Sequence, residues 1–356
     1  MQVAITADCH LHPSFPERKE TLVSLFEKLN KLNINHLIIA GDLYDKEIND
    51  YSDFDEILKA FPNINVYVIP GNHDPDLDIK SFTASNLKIV NSQSDEKVTS
   101  IGNLNFLFIP YIPEKSSMDE VLEEYFFNNE KIKNLVLVSH GDYLTKRYEF
   151  NPYEEGFYFP LTAHVVERYG FLKVFLGHTH KPTEYGKIYY PGSPCPIDSS
   201  ETGKRSFIVF DTTTLQVRRE FIETPYIFFT ESLIIYPFED EIEYVKSALE
   251  ERINSWGLSD NGLKKVKLRL FITGYTQNKR DLNEFIKNFL SEKKITLVGD
   301  EPILEVKDYK GEDFEERLKF YKKILNELEN LELMEFEEGT LSKDDVKKEV
   351  LRLLFE

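Results

Sequence analysis

The chain has 356 residues, more than one hydrophobic core usually serves, so a larger catalytic unit with one or two smaller attachments is expected. Its 41% apolar and 29% charged composition is that of a folded soluble protein, and no run approaches the roughly 18 consecutive apolar residues of a membrane span. A formal charge of −19 argues against a generally basic nucleic-acid-binding surface, although bound divalent ions or a local basic strip can coexist with an acidic remainder.

From residue 1 to about 220, short apolar runs alternate with amphipathic stretches, the pattern of an α/β protein with helices layered on sheets. Val3-Ala4-Ile5, Leu37-Ile38-Ile39, Val66 to Ile69, Leu135 to Val138 and Val174-Phe175-Leu176 read as buried strands. Further strands are expected at Leu104 to Ile109, Lys187 to Tyr190 and Ser206 to Phe210, and helices at Glu17 to Leu32, Asp53 to Phe61, Ser117 to Phe127 and Thr162 to Tyr169. Beyond residue 222 the order becomes strand (Phe228 to Tyr236), helix (Asp240 to Ser255), strand (Val266 to Ile272), helix (Arg280 to Leu290) and strand, a small α+β domain over 223–310. From Gly311 to Glu356 the chain is charged and helical, with apolar residues from Phe314 to Leu328 at helical spacing and a second apolar face from Val346 to Phe355. Cys9 and Cys195 cannot make a disulfide framework and read as reduced thiols; with no basic-then-apolar leader, a cytoplasmic location is expected.

The five buried strands of the first part each end in a polar motif: Asp8-Cys9-His10, Gly41-Asp42, Gly71-Asn72-His73-Asp74, His140-Gly141 and Gly177-His178-Thr179-His180. Open α/β sheets place their ligands at such strand ends. One His or Asp there is ordinarily a core residue or a helix cap, but five of the eight histidines fall in these motifs together, as a metal site requires. Extended backbone would turn Asp8 and His10 the same way, and likewise His178 and His180. The nitrogen and oxygen donors suit Mn, Fe, Zn or Co.

The ordered series D-x-H, G-D, G-N-H-D, H and G-H-x-H resembles the calcineurin-like metallophosphoesterases. That resemblance implies a two-sheet sandwich flanked by helices, with one ion held by Asp8, His10 and His180, a second by Asn72, His140 and His178, and Asp42 bridging. It also implies phosphoester hydrolysis by a hydroxide activated between the two ions, favours Mn²⁺, and leaves His73 for catalysis, with Asp74 expected to orient its ring.

Within that superfamily, Gly41-Asp42-Leu43-Tyr44-Asp45, Ile109-Pro110-Tyr111, and Tyr190-Pro191-Gly192-Ser193 with Glu201 and Phe207 resemble the SbcD-type double-strand-break repair nucleases. The implied substrate is DNA and the implied partner is a coiled-coil ATPase of the SbcC type. The 223–310 domain would be a DNA cap and the 311–356 helices either an ATPase-binding segment or a layer on their own domain. Homodimerisation is implied in the same way. His12, Lys181, Lys204 and Arg205 are candidate substrate contacts, as are Lys146, Arg147 and the cap lysines Lys264, Lys265 and Lys267. The alternative is a small-molecule or cyclic-nucleotide phosphodiesterase. Protein phosphatases fit less well, since they carry G-N-H-E and an Arg where this chain has Asp74 and Lys46.

Overall fold

The computed structural model describes residues 1–129, 132–144, 157–235, 240–309, 314–329 and 343–355. The chain divides into two units, Met1–Pro225 and Tyr226–Glu356. In the first, the apolar runs form strands that fill two six-stranded sheets. One sheet holds β1 (Gln2–Thr6), β2 (His36–Ala40), β3 (Asn65–Ile69) and β4 (Leu87–Ile89), all parallel, with β13 (Ser206–Asp211) added antiparallel beside β1 and β14 (Val217–Phe221) antiparallel beside β13. The other holds β6 (Leu104–Ile109), β7 (Leu135–His140), β10 (Lys173–Gly177) and β12 (Ile188–Tyr190) in parallel, edged by β5 (Val98–Ile101) and β11 (Thr183–Tyr185). A short pair, β8 (Tyr143–Leu144) and β9 (Leu161–Thr162), stands apart.

Strand alternation explains the layers. Val3 and Ile5 point between the sheets, where they meet Ile38, Phe106, Phe108, Val136, Phe175 and Phe210. Ala4, Leu37 and Ile39 point the other way, onto Leu22, Phe26 and Phe54 of α1 (Pro16–Leu32) and α2 (Ser52–Ala60). Leu107, Leu137 and Leu176 likewise pack on Leu122 and Val165 of α3 (Met118–Asn128) and α4 (Ala163–Tyr169). Local residues set two helix starts by capping, Ser117 at the Glu120 N–H of α3 and Thr162 at the Val165 N–H of α4, while Pro16, whose ring presets the helical φ, opens α1. Truncating one of the fully buried rings between the sheets, such as Phe106, would cost about 3–5 kcal/mol. This sandwich directs the C-terminal ends of β1, β2, β3, β7 and β10 to one place.

The second unit carries a sheet in which β16 (Val266–Thr276) pairs in parallel with β15 (Ile227–Ile235), β17 (Thr296–Leu297) and β18 (Ile303–Asp308). The sequence order expected to give an α+β domain therefore gives parallel pairing. Each strand reaches its neighbour through a helix, α5 (Glu241–Ser255) or α7 (Lys279–Glu292), and such crossovers return the chain in the same direction. The four-residue α6 (Asp260–Leu263) precedes β16. Leu268, Leu270 and Ile272 pack with Val245, Leu249, Leu282 and Ile286. Helices α8 (Phe314–Glu329) and α9 (Lys343–Phe355) lie against the same unit, where Tyr321 is buried beside Tyr275 and packs with Ile234, Val350 and Leu354. No helix among the described residues is long and apolar enough to cross a membrane.

Candidate metal centre

The strands β1, β2 and β3 stop just short of the polar motifs, while β7 and β10 run into theirs at His140 and Gly177, and the backbone then turns sharply. Asp8, His10, Asp42 and His178 all take positive φ values, at 55°, 46°, 49° and 94°. Such conformations are costly for non-glycine residues and gather at functional sites. The expected extended pairing of Asp8 with His10 is thus corrected: β1 ends at Thr6, and left-handed turns rather than a pleat bring the two side chains together. Two glycines make room. A Cβ on Gly41, which has φ 94°, would lie 2.0 Å from His140 Nδ1, and one on Gly177 would lie 1.9 Å from the Ala40 carbonyl oxygen.

The side chains converge in overlapping groups. Ligand atoms of Asp8, His10 and His180 lie within 4.8 Å of one another, and the same holds for Asp8, Asp42 and His140. His10 Nε2 is 3.2 Å from His180 Nε2 and 3.7 Å from Asp42 Oδ2. Asn72 Oδ1 is 2.8 Å from His140 Nε2 and 3.3 Å from His178 Nδ1, and His140 Nε2 is 3.3 Å from Asp42 Oδ2. Ligand atoms of His10, Asp42 and His73 also lie within 4.8 Å of one another, so Asp42 stands next to both His10 and His140.

These residues fit divalent cations. Asp8 Oδ2 is buried with no hydrogen-bond partner among the described residues, a costly state for a carboxylate oxygen. Burial alone would depress the His140 pKa, yet Asp42 and Asp8 drive it upward, so the carboxylates call for positive charge at this point. A bound cation meets that call. His140 Nδ1 lies 2.9 Å from the Ala40 carbonyl, which fixes Nδ1 as the donor and turns the Nε2 lone pair inward.

The sequence over residues 1–182 matches the calcineurin-like phosphoesterase family. The chain belongs to this family. Family membership makes it a metal-dependent phosphoester hydrolase with a two-metal centre. Similar solved structures include a protein from Thermus thermophilus, with 12% identity, TM-score 0.42, and coverage of 62% of this chain and 98% of that one. A structure described as a novel archaeal phosphodiesterase has 17% identity and TM-score 0.33, covering 62% and 99%. A dimetal phosphatase from Danio rerio has 10% identity and TM-score 0.40, covering 62% and 96%. The sequence has no match among curated proteins.

Around this phosphoesterase centre, several expectations need correction. His73 sits at the cluster, its ring edge-on to His10 with centroids 4.6 Å apart, but Asp74 does not orient it. The Asp74 oxygens accept the backbone N–H groups of Gly71 and Tyr44, at 2.7 and 3.1 Å. Burial and the nearby Asp42 carboxylate push its pKa up. Asp74 braces the loop, and Asp45 takes the role expected of it, with Oδ1 2.9 Å from His73 Nδ1. Although partial burial raises the Asp45 pKa, hydrogen bonds with His10 and His73 hold it well below the carboxylate range.

Arg205, expected to hold substrate, is only 3% exposed and is bound to the backbone oxygens of His180 and Ser193. Lys181 and Lys204 are exposed, and Lys204 Nζ lies 5.5 Å from the Phe221 ring centroid. His12 is half-buried, and its Nδ1 accepts the Ser14 N–H at 3.0 Å. In the second unit, Lys267 Nζ lies over the Tyr226 ring and Lys264 binds Asn261, while Lys146 and Arg147 lie outside the described residues.

Residues not singled out for the site also support it. Arg18 is buried and donates to the His10 carbonyl at 2.7 Å and to Asp45 at 3.2 Å. Asp142 Oδ1 is 3.7 Å from His178 Nε2, and Glu201 Oε1 is 2.9 Å from His180 Nδ1. The repeated G-D at Gly141-Asp142 and the last residue of Gly41-Asp42-Leu43-Tyr44-Asp45 were the available signals.

Proposed function

We propose that the protein hydrolyses phosphodiester bonds in DNA, as an exonuclease and endonuclease of the SbcD type serving repair or recombination. The observation that carries this reading is a second folded unit, Tyr226–Glu356, joined to the phosphoesterase unit. A polymer extends past the reacting bond and needs further protein surface for its flanking backbone, whereas a small ester is enclosed by the centre itself. The G-D-L-Y-D sequence through Asp45 supports the same subgroup.

In this reading Asp8, His10 and His180 would hold one ion and Asn72, His140 and His178 the other, with Asp42 shared. Two such ions, manganese in our reading, supply Lewis acidity to the phosphoryl oxygens and lower the pKa of a water. The protein does the rest by positioning. The His73 N–H donates to Asp42 Oδ1 at 2.8 Å, which fixes that carboxylate, while Asp45 accepts the Nδ1–H of the ring. With Nδ1 held by Asp45, the ring is oriented so that Nε2 can serve the leaving sugar oxygen as a general acid. Arg18 keeps Asp45 in place.

The proposal extends to partners: DNA, a coiled-coil ATPase of the SbcC type and a second copy of the chain, in the cytoplasm. Labelled duplex and hairpin DNA incubated with the protein and Mn²⁺, with and without that ATPase, tests it. Cleavage that vanishes in His73→Ala while circular dichroism is unchanged is expected. No cleavage with any divalent ion, alone or with the ATPase, overturns the reading. Rapid turnover of bis(p-nitrophenyl) phosphate without action on DNA would assign a small-molecule phosphodiesterase instead.

A further inference from the structure

We infer that Glu201 is the positioning residue for His180: its carboxylate accepts the ring Nδ1–H and so fixes the tautomer whose Nε2 lone pair faces the metal centre. Glu201 lies between β12 and β13, beyond residues 1–182 that match the family. The inference rests on the two-metal centre and is independent of the substrate.

The geometry forms a closed set. Glu201 Oε1 is 2.9 Å from His180 Nδ1, and His180 Nε2 points at the cluster, 3.2 Å from His10 Nε2. The other carboxylate oxygen, Oε2, accepts the Ser193 hydroxyl at 2.6 Å and lies 3.0 Å from Arg205 Nη2. Arg205 also donates from Nη2 to the His180 carbonyl at 2.8 Å and from Nε to the Ser193 carbonyl at 2.9 Å, and it donates to the Ser193 hydroxyl. One guanidinium therefore holds both the carboxylate that orients the ring and the backbone that bears it. Glu201, Arg205 and Ser193 are 8%, 3% and 0% exposed, so solvent does not loosen the arrangement.

Charge balance gives this set a chemical consequence. A carboxylate at Nδ1 makes an imidazole a more basic ligand than a neutral acceptor does, such as the Ala40 carbonyl that serves His140. Arg205 cancels the charge of Glu201. The pair thus strengthens one ligand without adding to the negative charge of Asp8 and Asp42.

Two measurements test this. In metal-free wild-type protein, at a pH where the ring is neutral, long-range ¹H–¹⁵N correlation should show His180 protonated at Nδ1. In folded Glu201→Gln, calorimetric titration with Mn²⁺ should show one ion binding about 10–100-fold more weakly and the other unchanged. A folded Glu201→Gln that binds both ions as wild type overturns the inference. So does a wild-type His180 protonated at Nε2, which decides the matter even if the variant fails to fold. Wild-type protein that takes up no ion overturns the metal centre itself, and the inference with it.

Discussion

His73 and Asp45 form a hydrogen-bonded pair, Nδ1 to Oδ1 at 2.9 Å, and the second Asp45 oxygen lies 3.2 Å from Arg18 Nη1. The aspartate two residues past Leu43, not the one adjacent to His73 in sequence, sets the state of the ring. Asp45→Asn keeps an acceptor but removes the negative charge that Asp45 places at the ring Nδ1. Its kcat per metal-loaded site on a phosphodiester is expected to fall about 10–100-fold. Steady-state kinetics paired with metal analysis checks this, and wild-type kcat would assign His73 no proton-holding role.

Asp74 is expected to behave as a brace. Its two oxygens receive the Gly71 and Tyr44 N–H groups, so the amide of Asp74→Asn must set a donor against a donor. The variant should lose about 1–3 kcal/mol of stability in urea denaturation. Wild-type stability with lost activity would return Asp74 to the chemistry.

The Gly177 backbone has no room for a side chain, since a Cβ would lie 1.9 Å from the Ala40 oxygen and 2.6 Å from His140 Nδ1. Gly177→Ala should cost about 1–3 kcal/mol and disturb metal uptake, because both neighbours are fixed in the core. A shifted denaturation midpoint together with a lowered ion count is the expected result.

These cases mark what was legible in the sequence. The strands of the sandwich were, because runs such as Leu135 to Val138 are buried on both faces and so read as continuous apolar segments. The side chains that converge at the centre were legible because each motif directly follows such a run or closes it. The edge strands β4, β5, β11 and β14 were not, since half-exposed edges carry mixed residues. Nor were the roles of Arg18, Glu201 and Arg205. A charged residue buried in a pair has the same letter as one in solvent, and only the fold brings Arg205 to the His180 backbone.

Burial separates Arg205 from the lysines near it. Breaking its buried pairing in Arg205→Met should destabilise the protein by about 3–5 kcal/mol. Lys181→Ala and Lys204→Ala, at exposed positions, should change stability by less than about 0.5 kcal/mol. On the DNA reading, each lysine variant weakens binding uniformly across sequences and reduces the salt slope by about 1. Fluorescence titrations over a range of salt concentrations read this directly.

Away from the centre, Asp55 links stability to pH. Burial pushes its carboxyl up, but Lys59, Thr83 and the Ala84 N–H hold it below the carboxylate range. A pKa lower in the folded state than the roughly 3.9 of an unfolded Asp means the contribution is full above that value and is lost as pH falls through the folded pKa. Denaturation midpoints of wild type should fall in acid more steeply than those of Asp55→Asn. Parallel curves would remove Asp55 as a cause.

The central claim is that Asp8, His10, Asp42, Asn72, His140, His178 and His180 hold two ions with Asp42 shared. Metal-stripped protein equilibrated with Mn²⁺ and analysed by mass spectrometry of its metal content tests it. Two ions per chain in wild type, and fewer in folded Asp42→Asn, are predicted. Wild-type protein that holds one ion or none contradicts the claim.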